Sequence, residues 1–296
     1  MSMIIGKALI AGGGGTVDRL DFTYTGQYNE RLEDGVVEFL TSGVLTFKKE
    51  TAIDAFLVGG GSGGCTGWNR NSTNYGGGGG GGGGKTVTLL NITPRANTEY
   101  QIVVGAGGSS GKKNTTESNI TAPTNGGDTT AFGSTAEGGR VPTVMTSGGT
   151  VYSAGYGGLI CGGSGGSGGG QSVGRGVTSA YNIAGAGGSD GSDGGAANPQ
   201  PSATAYPIGT GQGTTTREFG ETTGKLYAGG GGAGNILGTP TAGGDGGGGN
   251  GGGDAANMNA AANTGGGGGG QNETGGTTAG AGGSGIVCIR LHKESA

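Results

Sequence analysis

The chain has 296 residues, of which 84 are glycine, about 28%, whereas Leu, Ile, Val and Phe together reach only about 15%. Charged residues make up 12%, the net charge is −4 and the pI is near 5.0. This balance excludes a conventional apolar core, the high charge that accompanies disorder, and a basic stripe for nucleic acid or anionic lipid.

Residues 1–34 read as an N-terminal attachment segment: a mildly apolar start interrupted by Lys7 and then by four glycines. Residues 35–104 read as a β-rich base carrying the first glycine hairpin. Segments 36–41, 44–47, 53–58, 86–92 and 100–104 alternate or run apolar as strands do, with Ser42-Gly43 as a tight turn and Pro94 in the last connection. Residues 105–285 read as a glycine-rich bundle with loops. Residues 286–296 supply a closing strand over 286–291 and a charged tail. No stretch approaches the ~20 apolar residues of a membrane span, so no membrane insertion is expected.

Glycine loses more backbone freedom on folding than any other residue, about 0.5–1 kcal/mol relative to Ala. Such a composition suits either a flexible linker or a packing in which a Cβ is forbidden. The glycines come in bursts, at 59–64, 76–84, 105–111, 162–170, 185–195, 229–234, 243–253, 265–270 and 280–285, separated by polar segments. A linker has no reason to alternate in this way, and collagen needs a strict Gly-X-Y repeat and more than 7 prolines. The ordered solution is a set of extended threefold glycine helices, each without internal hydrogen bonds. Every N–H and C=O must then pair with a neighbouring helix. The expected fold is therefore mostly irregular and β with almost no α-helix: a small β module built from both chain ends, plus a bundle of polyglycine-II helices.

Chemistry-bearing motifs are few. Gly79 to Thr86 matches the phosphate-cradling pattern GxxxxGK[ST], but a β-branched strand follows where that loop needs a helix N-terminus. The acids of Gly187-Gly-Ser-Asp-Gly-Ser-Asp193 and Gly248-Gly-Asn-Gly-Gly-Gly-Asp254 miss the calcium-repeat pattern and read as solvated loop acids. Cys65, Cys161 and Cys288 are widely spaced and form neither a disulfide framework nor a zinc motif. His292, the only histidine, sits in the charged tail and reads as exposed. No enzyme, metal or cofactor is expected.

The aromatic and polar residues between the glycine runs have the composition of a recognition surface. The candidates are Trp68, Asn69, Arg70, Asn71 and Tyr75 in one loop, Lys112, Lys113 and Asn114 in a second, and Tyr181 in a third. The tyrosines equally suit rings that cap the bundle ends; Trp68, beside Asn69 and Arg70, reads as binding.

Five segments, Phe39-Leu-Thr-Ser-Gly43, Phe56-Leu-Val-Gly-Gly-Gly61, Tyr100-Gln-Ile-Val-Val-Gly-Ala-Gly-Gly108, Gly126-Gly-Asp-Thr-Thr-Ala-Phe-Gly133 and Ala281-Gly-Gly-Ser-Gly-Ile-Val-Cys-Ile-Arg290, carry a resemblance. Together they resemble the glycine-rich tail-fibre and fibre-tip proteins of bacteriophages and prophages. The resemblance implies a polyglycine-II sandwich on a virion tail, made in the host cytoplasm, whose distal loops bind a protein or glycan receptor on the host cell. It also implies other tail or fibre proteins as partners, and a homotrimer. Loops 65–75 and 112–125 are then distal, while beyond residue 139 the order of runs is open. The alternative is a structural tail component, such as a tip cap, without direct receptor binding.

Overall fold

The computed structural model describes residues 4–9, 19–71, 74–113, 120–141, 145–147, 150–152, 162–172, 186–197, 208–235, 240–252, 255–272 and 276–293. The chain opens with β1 (Ile4–Leu9), β2 (Arg19–Tyr24), β3 (Tyr28–Arg31), β4 (Val36–Phe39), β5 (Gly43–Phe47) and β6 (Ile53–Val58). A hairpin of β7 (Trp68–Asn71) and β8 (Asn74–Gly76) follows, then β9 (Thr86–Ile92) and β10 (Glu99–Ile102). Three short hairpins come next: β11 (Lys112–Lys113) with β12 (Ile120–Thr121), β13 (Thr129–Ala131) with β14 (Ser134–Ala136), and β15 (Met145–Ser147) with β16 (Thr150–Tyr152). The last strand is β17 (Ile286–Leu291). Helix is confined, among the described residues, to single turns at Glu218–Gly220 and Ala255–Met258.

Two antiparallel sheets form the base, in the orders β1-β2-β5-β10 and β3-β4-β17-β6-β9. The C-terminal strand β17 thus lies between β4 and β6, joining the two chain ends. Ser42-Gly43 does not close a hairpin; it carries the chain from one sheet to the other. Between the sheets lie Leu20, Phe22, Tyr24, Leu45, Phe47 and Ile102 from one side and Val37, Phe39, Ala55, Leu57, Val287 and Ile289 from the other. The reverse face of the larger sheet buries Val36, Phe56, Val58, Ile286 and Cys288 beneath Phe219, Tyr227 and Ala228.

Residues 19–31 are a correction to the sequence reading, which set 1–34 apart from the core. Leu20, Phe22 and Tyr24 alternate with polar residues, which is the period of a strand with one buried face. All three are at most 1% exposed, and the rings of Phe22 and Tyr24 lie 6.0 and 4.5 Å from that of Phe39. The stretch 105–285 is likewise not bundle alone. It returns to the base in the β13–β14 hairpin, which buries Ala131 and Ala136, and in the strap 213–227.

The glycine runs pack as a bundle with a three-residue register, the period of the polyglycine-II helix. Run 77–85 lies at its centre. The N–H groups of Gly78, Gly81 and Gly84 donate to the carbonyls of Gln271, Gly268 and Gly265, and those of Gly80 and Gly83 to Gly170 and Ser167. The carbonyls of Gly79, Gly82 and Lys85 accept from Cys65, Ser62 and Gly59; those of Gly78 and Gly81 accept from Gly234 and Gly231; those of Gly80 and Gly83 accept from Gly163 and Gly166. These bonds measure 2.7–3.0 Å. The Lys85 N–H donates in addition to the Glu137 carbonyl at 2.8 Å, so this one run is bonded to six others and to nothing within itself. Only nine glycines among the described residues have a positive φ, so the demand for glycine is mainly lateral rather than torsional. A methyl on Gly80 would sit 2.0 Å from the Gly231 carbonyl oxygen, and one on Gly267 would sit 2.1 Å from that of Gly81.

Candidate functional site

Hydrogen-bond register gives each run a direction. Runs 59–65, 105–111, 137–141, 167–172, 192–195, 228–235, 248–252 and 265–272 lead away from the sheets; runs 77–85, 124–127, 162–166, 186–188, 209–212, 241–244, 257–261 and 280–285 lead back. The alternation continues past residue 139, where the sequence leaves the order of runs open. Hairpins β7–β8, β11–β12 and β15–β16 therefore gather, with the Ala255–Met258 turn, at the end remote from the sheets.

The floor of that distal end is polar and buried. Asn272 accepts from the Asn235 N–H through Oδ1 at 2.7 Å and donates from Nδ2 to the Gly252 carbonyl at 2.7 Å. Ser172 Oγ donates to the Gly234 carbonyl at 2.6 Å, and Gln171 Oε1 accepts from the Ala197 N–H at 2.9 Å. These side chains stand one or two residues beyond the end of a glycine run and satisfy main-chain groups that the run's end leaves over. Sequence reasoning did not single them out. The signal was present as an Asn, Gln or Ser at the end of the runs closing at Gly170, Gly234 and Gly270.

The candidate residues fall unevenly on this end. Trp68, Asn69 and Asn71 lie on β7 and pair in register with Gly76, Tyr75 and Asn74; Arg70 sits at the register shift between Asn69 and Asn71. Lys112 is exposed and bridges to Thr121 and Thr278. Lys113 is a correction: it is 8% exposed, its N–H donates to the Thr277 carbonyl at 2.8 Å, and its position on the inner side of β11 removes it from the outer surface. Asn114 and Tyr181 lie outside the described residues.

Two charge networks at the base were not anticipated. His292, read as exposed, places Nδ1 2.6 Å from Asp54 Oδ1 and is 21% exposed. Asp54 also meets Arg290 Nε at 3.1 Å, and Arg290 reaches Glu221 at 2.7 Å. Burial works to raise the Asp54 pKa, but hydrogen bonds from His292, the Asn91 N–H and Arg290 outweigh it and hold the carboxyl below its ordinary value. In the second network Glu38, Glu218 and Cys288 are all buried, with ligand atoms within 4.8 Å of one another. A cation does not suit this cluster. Arg31 already contacts Glu218 at 2.5 Å and Glu38 at 3.0 Å, and Lys225 stands 3.6 Å from Glu38. Burial also pushes the Cys288 thiol well above its ordinary pKa, which keeps it protonated. The scattered acids of the sequence thus converge through β4, β17 and the strap, a long-range assembly with no local signature.

The other sequence motifs take structural places. Lys85 of the GxxxxGK[ST] match pairs with Glu137 at 2.9 Å and leads into β9. Asp190 pairs with Arg217 at 3.0 Å, and Asp193 accepts from the Gly211 N–H at 2.8 Å.

A β-sandwich base carrying a bundle of extended glycine runs defines a class of protein held together largely by main-chain contacts. The family model described as a glycine-rich domain matches residues 40–292, and the chain belongs to that family. Among curated protein sequences, none matches it.

Proposed function

We propose that this chain is a phage tail-fibre or fibre-tip protein whose distal loops bind a receptor on the host cell surface. The observation that carries this reading is the alternation of run directions, which collects hairpins β7–β8, β11–β12 and β15–β16 at one end of a hydrogen-bonded scaffold. Binding residues on loops held by a rigid frame are a general solution to recognition, since loop sequence then varies without loss of the fold. Trp68, Arg70 and Tyr75 supply the aromatic and guanidinium character that dominates binding surfaces. Replacing residues 65–75 and 112–125 by loops of different sequence, in intact particles, tests the reading. Altered adsorption with normal particle assembly is the expected result. Loss of assembly with the adsorption of the remaining particles unchanged would instead make the chain a structural tail component.

A further inference from the structure

Two Phe-Gly dipeptides in this chain bend in the same way. Phe132 (φ 51) and Gly133 (φ 76) turn the β13–β14 hairpin, and Phe219 (φ 54) and Gly220 (φ 72) turn the strap. A left-handed backbone is a steric outlier for a bulky residue and persists only where surroundings enforce it. At Phe219 the enforcing contacts are plain. The ring is 5% exposed, lies 6.1 Å from Phe56, and carries the Arg290 guanidinium 4.1 Å above its centroid. Glu221 holds that guanidinium at 2.7 Å and Asp54 at 3.1 Å. An aromatic face, a cation and flanking carboxylates make a closed cation–π site.

At Phe132 the ring and the carboxylate recur around a surface cavity. Its volume is about 430 Å³, and its walls are Ile92, Pro94, Glu99, Tyr100, Gln101 and Phe132. The rings of Tyr100 and Phe132 stand 5.6 Å apart at 50°. The Arg95 N–H donates to the Tyr100 hydroxyl at 2.7 Å, which fixes that ring in advance of binding. Glu99 is exposed beside them, and among the described residues its carboxylate has no ion-pair partner. The cavity is of the size that takes a small ligand group, and the net charge of −4 favours a basic one.

We propose that this cavity binds an arginine or lysine side chain of a partner polypeptide docking at the β base, the end opposite the distal hairpins. The internal precedent is the chain's own Arg290 on Phe219. The site does not depend on what the distal loops bind. A test titrates the full-length protein with the acetylated, amidated peptide Gly-Arg-Gly and with its citrulline counterpart, which keeps the shape and removes the charge. The arginine peptide should bind with a Kd on the order of 1 mM, and the citrulline peptide about tenfold more weakly. Glu99→Gln should weaken the arginine peptide by a similar factor. Phe132→Asn removes the ring but suits the left-handed turn, so it should abolish binding while lowering the melting temperature only as far as the ring's packing against the core requires. Equal binding of the two peptides, no binding of either, or an unchanged affinity in Glu99→Gln would overturn the proposal. So would a Phe132→Asn protein that melts lower yet binds as before, because the ring would then serve packing alone.

Discussion

Replacing Gly80 by alanine isolates what the bundle requires. Gly80 does not have a positive φ, so the backbone conformation itself accepts alanine. Through the unfolded chain, such a change normally stabilises by about 0.4–1 kcal/mol. Here the new methyl would lie 2.0 Å from the Gly231 carbonyl oxygen and 2.5 Å from its carbon, far inside contact distance and against main chain that has no rotamer to change. Relief requires run 228–235 to retreat by about 1 Å, which stretches the bonds from the Gly170 N–H to the Gly231 carbonyl and from the Gly231 N–H to the Gly81 carbonyl, both 2.8 Å. Buried groups left without partners cost about 1–3 kcal/mol each, and overpacking costs about as much, so the net loss should be about 2–5 kcal/mol. That corresponds to a fall in melting temperature of roughly 4–10 °C for a chain of this size. Gly276→Ala is the internal control, since among the described residues its methyl would meet only Gln271 Nε2, at an ordinary contact distance of 3.5 Å. Circular dichroism melts of the two proteins decide the matter. Equal melting temperatures would refute the lateral-packing argument.

Further outcomes concern the ion networks of the base and the cysteines. Asp54→Asn leaves Arg290 and His292 facing a neutral partner and should cost about 3 kcal/mol at pH 7, measured by denaturant unfolding. Because the folded Asp54 carboxyl lies below its unfolded value of about 3.9, its contribution is complete above that value and disappears as pH falls through the folded one; the wild type should therefore lose stability more steeply below about pH 4 than Asp54→Asn does. Arg31→Ala strands Glu38 and Glu218 together and should destabilise by about 3–5 kcal/mol in the same assay. Cys65 and Cys288 are buried, and burial raises the Cys288 thiol, so a thiol reagent at pH 8 should modify at most one cysteine per native chain and all three in guanidinium.

The base strands were legible because their signal is local. Segments 53–58, 86–92 and 286–291 alternate or run apolar beside the glycine runs and fold as β6, β9 and β17. The glycine bursts likewise reveal a Cβ-free packing before any coordinate is known. Strand β2 carried an equally clear alternation at Leu20, Phe22 and Tyr24, hidden by its position next to a glycine-rich leader. The ion networks were not legible at all. Arg31 meets Glu218 across 187 residues and Asp54 meets His292 across 238, and no periodicity encodes such pairings. Lys113 failed as a surface candidate for a related reason: two adjacent lysines on a strand point to opposite sides, and only the pairing of β11 with residues 277–278 decides which one is buried.

Hydrogen exchange of individual glycine amides examines the central claim most directly. If bare main chains bonded sideways replace an apolar interior, the N–H groups of Gly78, Gly81 and Gly84 should be protected as strongly as those of β6 and β17, through the bonds they donate to Gln271, Gly268 and Gly265. Exchange of these three amides at the rate of an unstructured chain, while β6 and β17 remain protected, would contradict it.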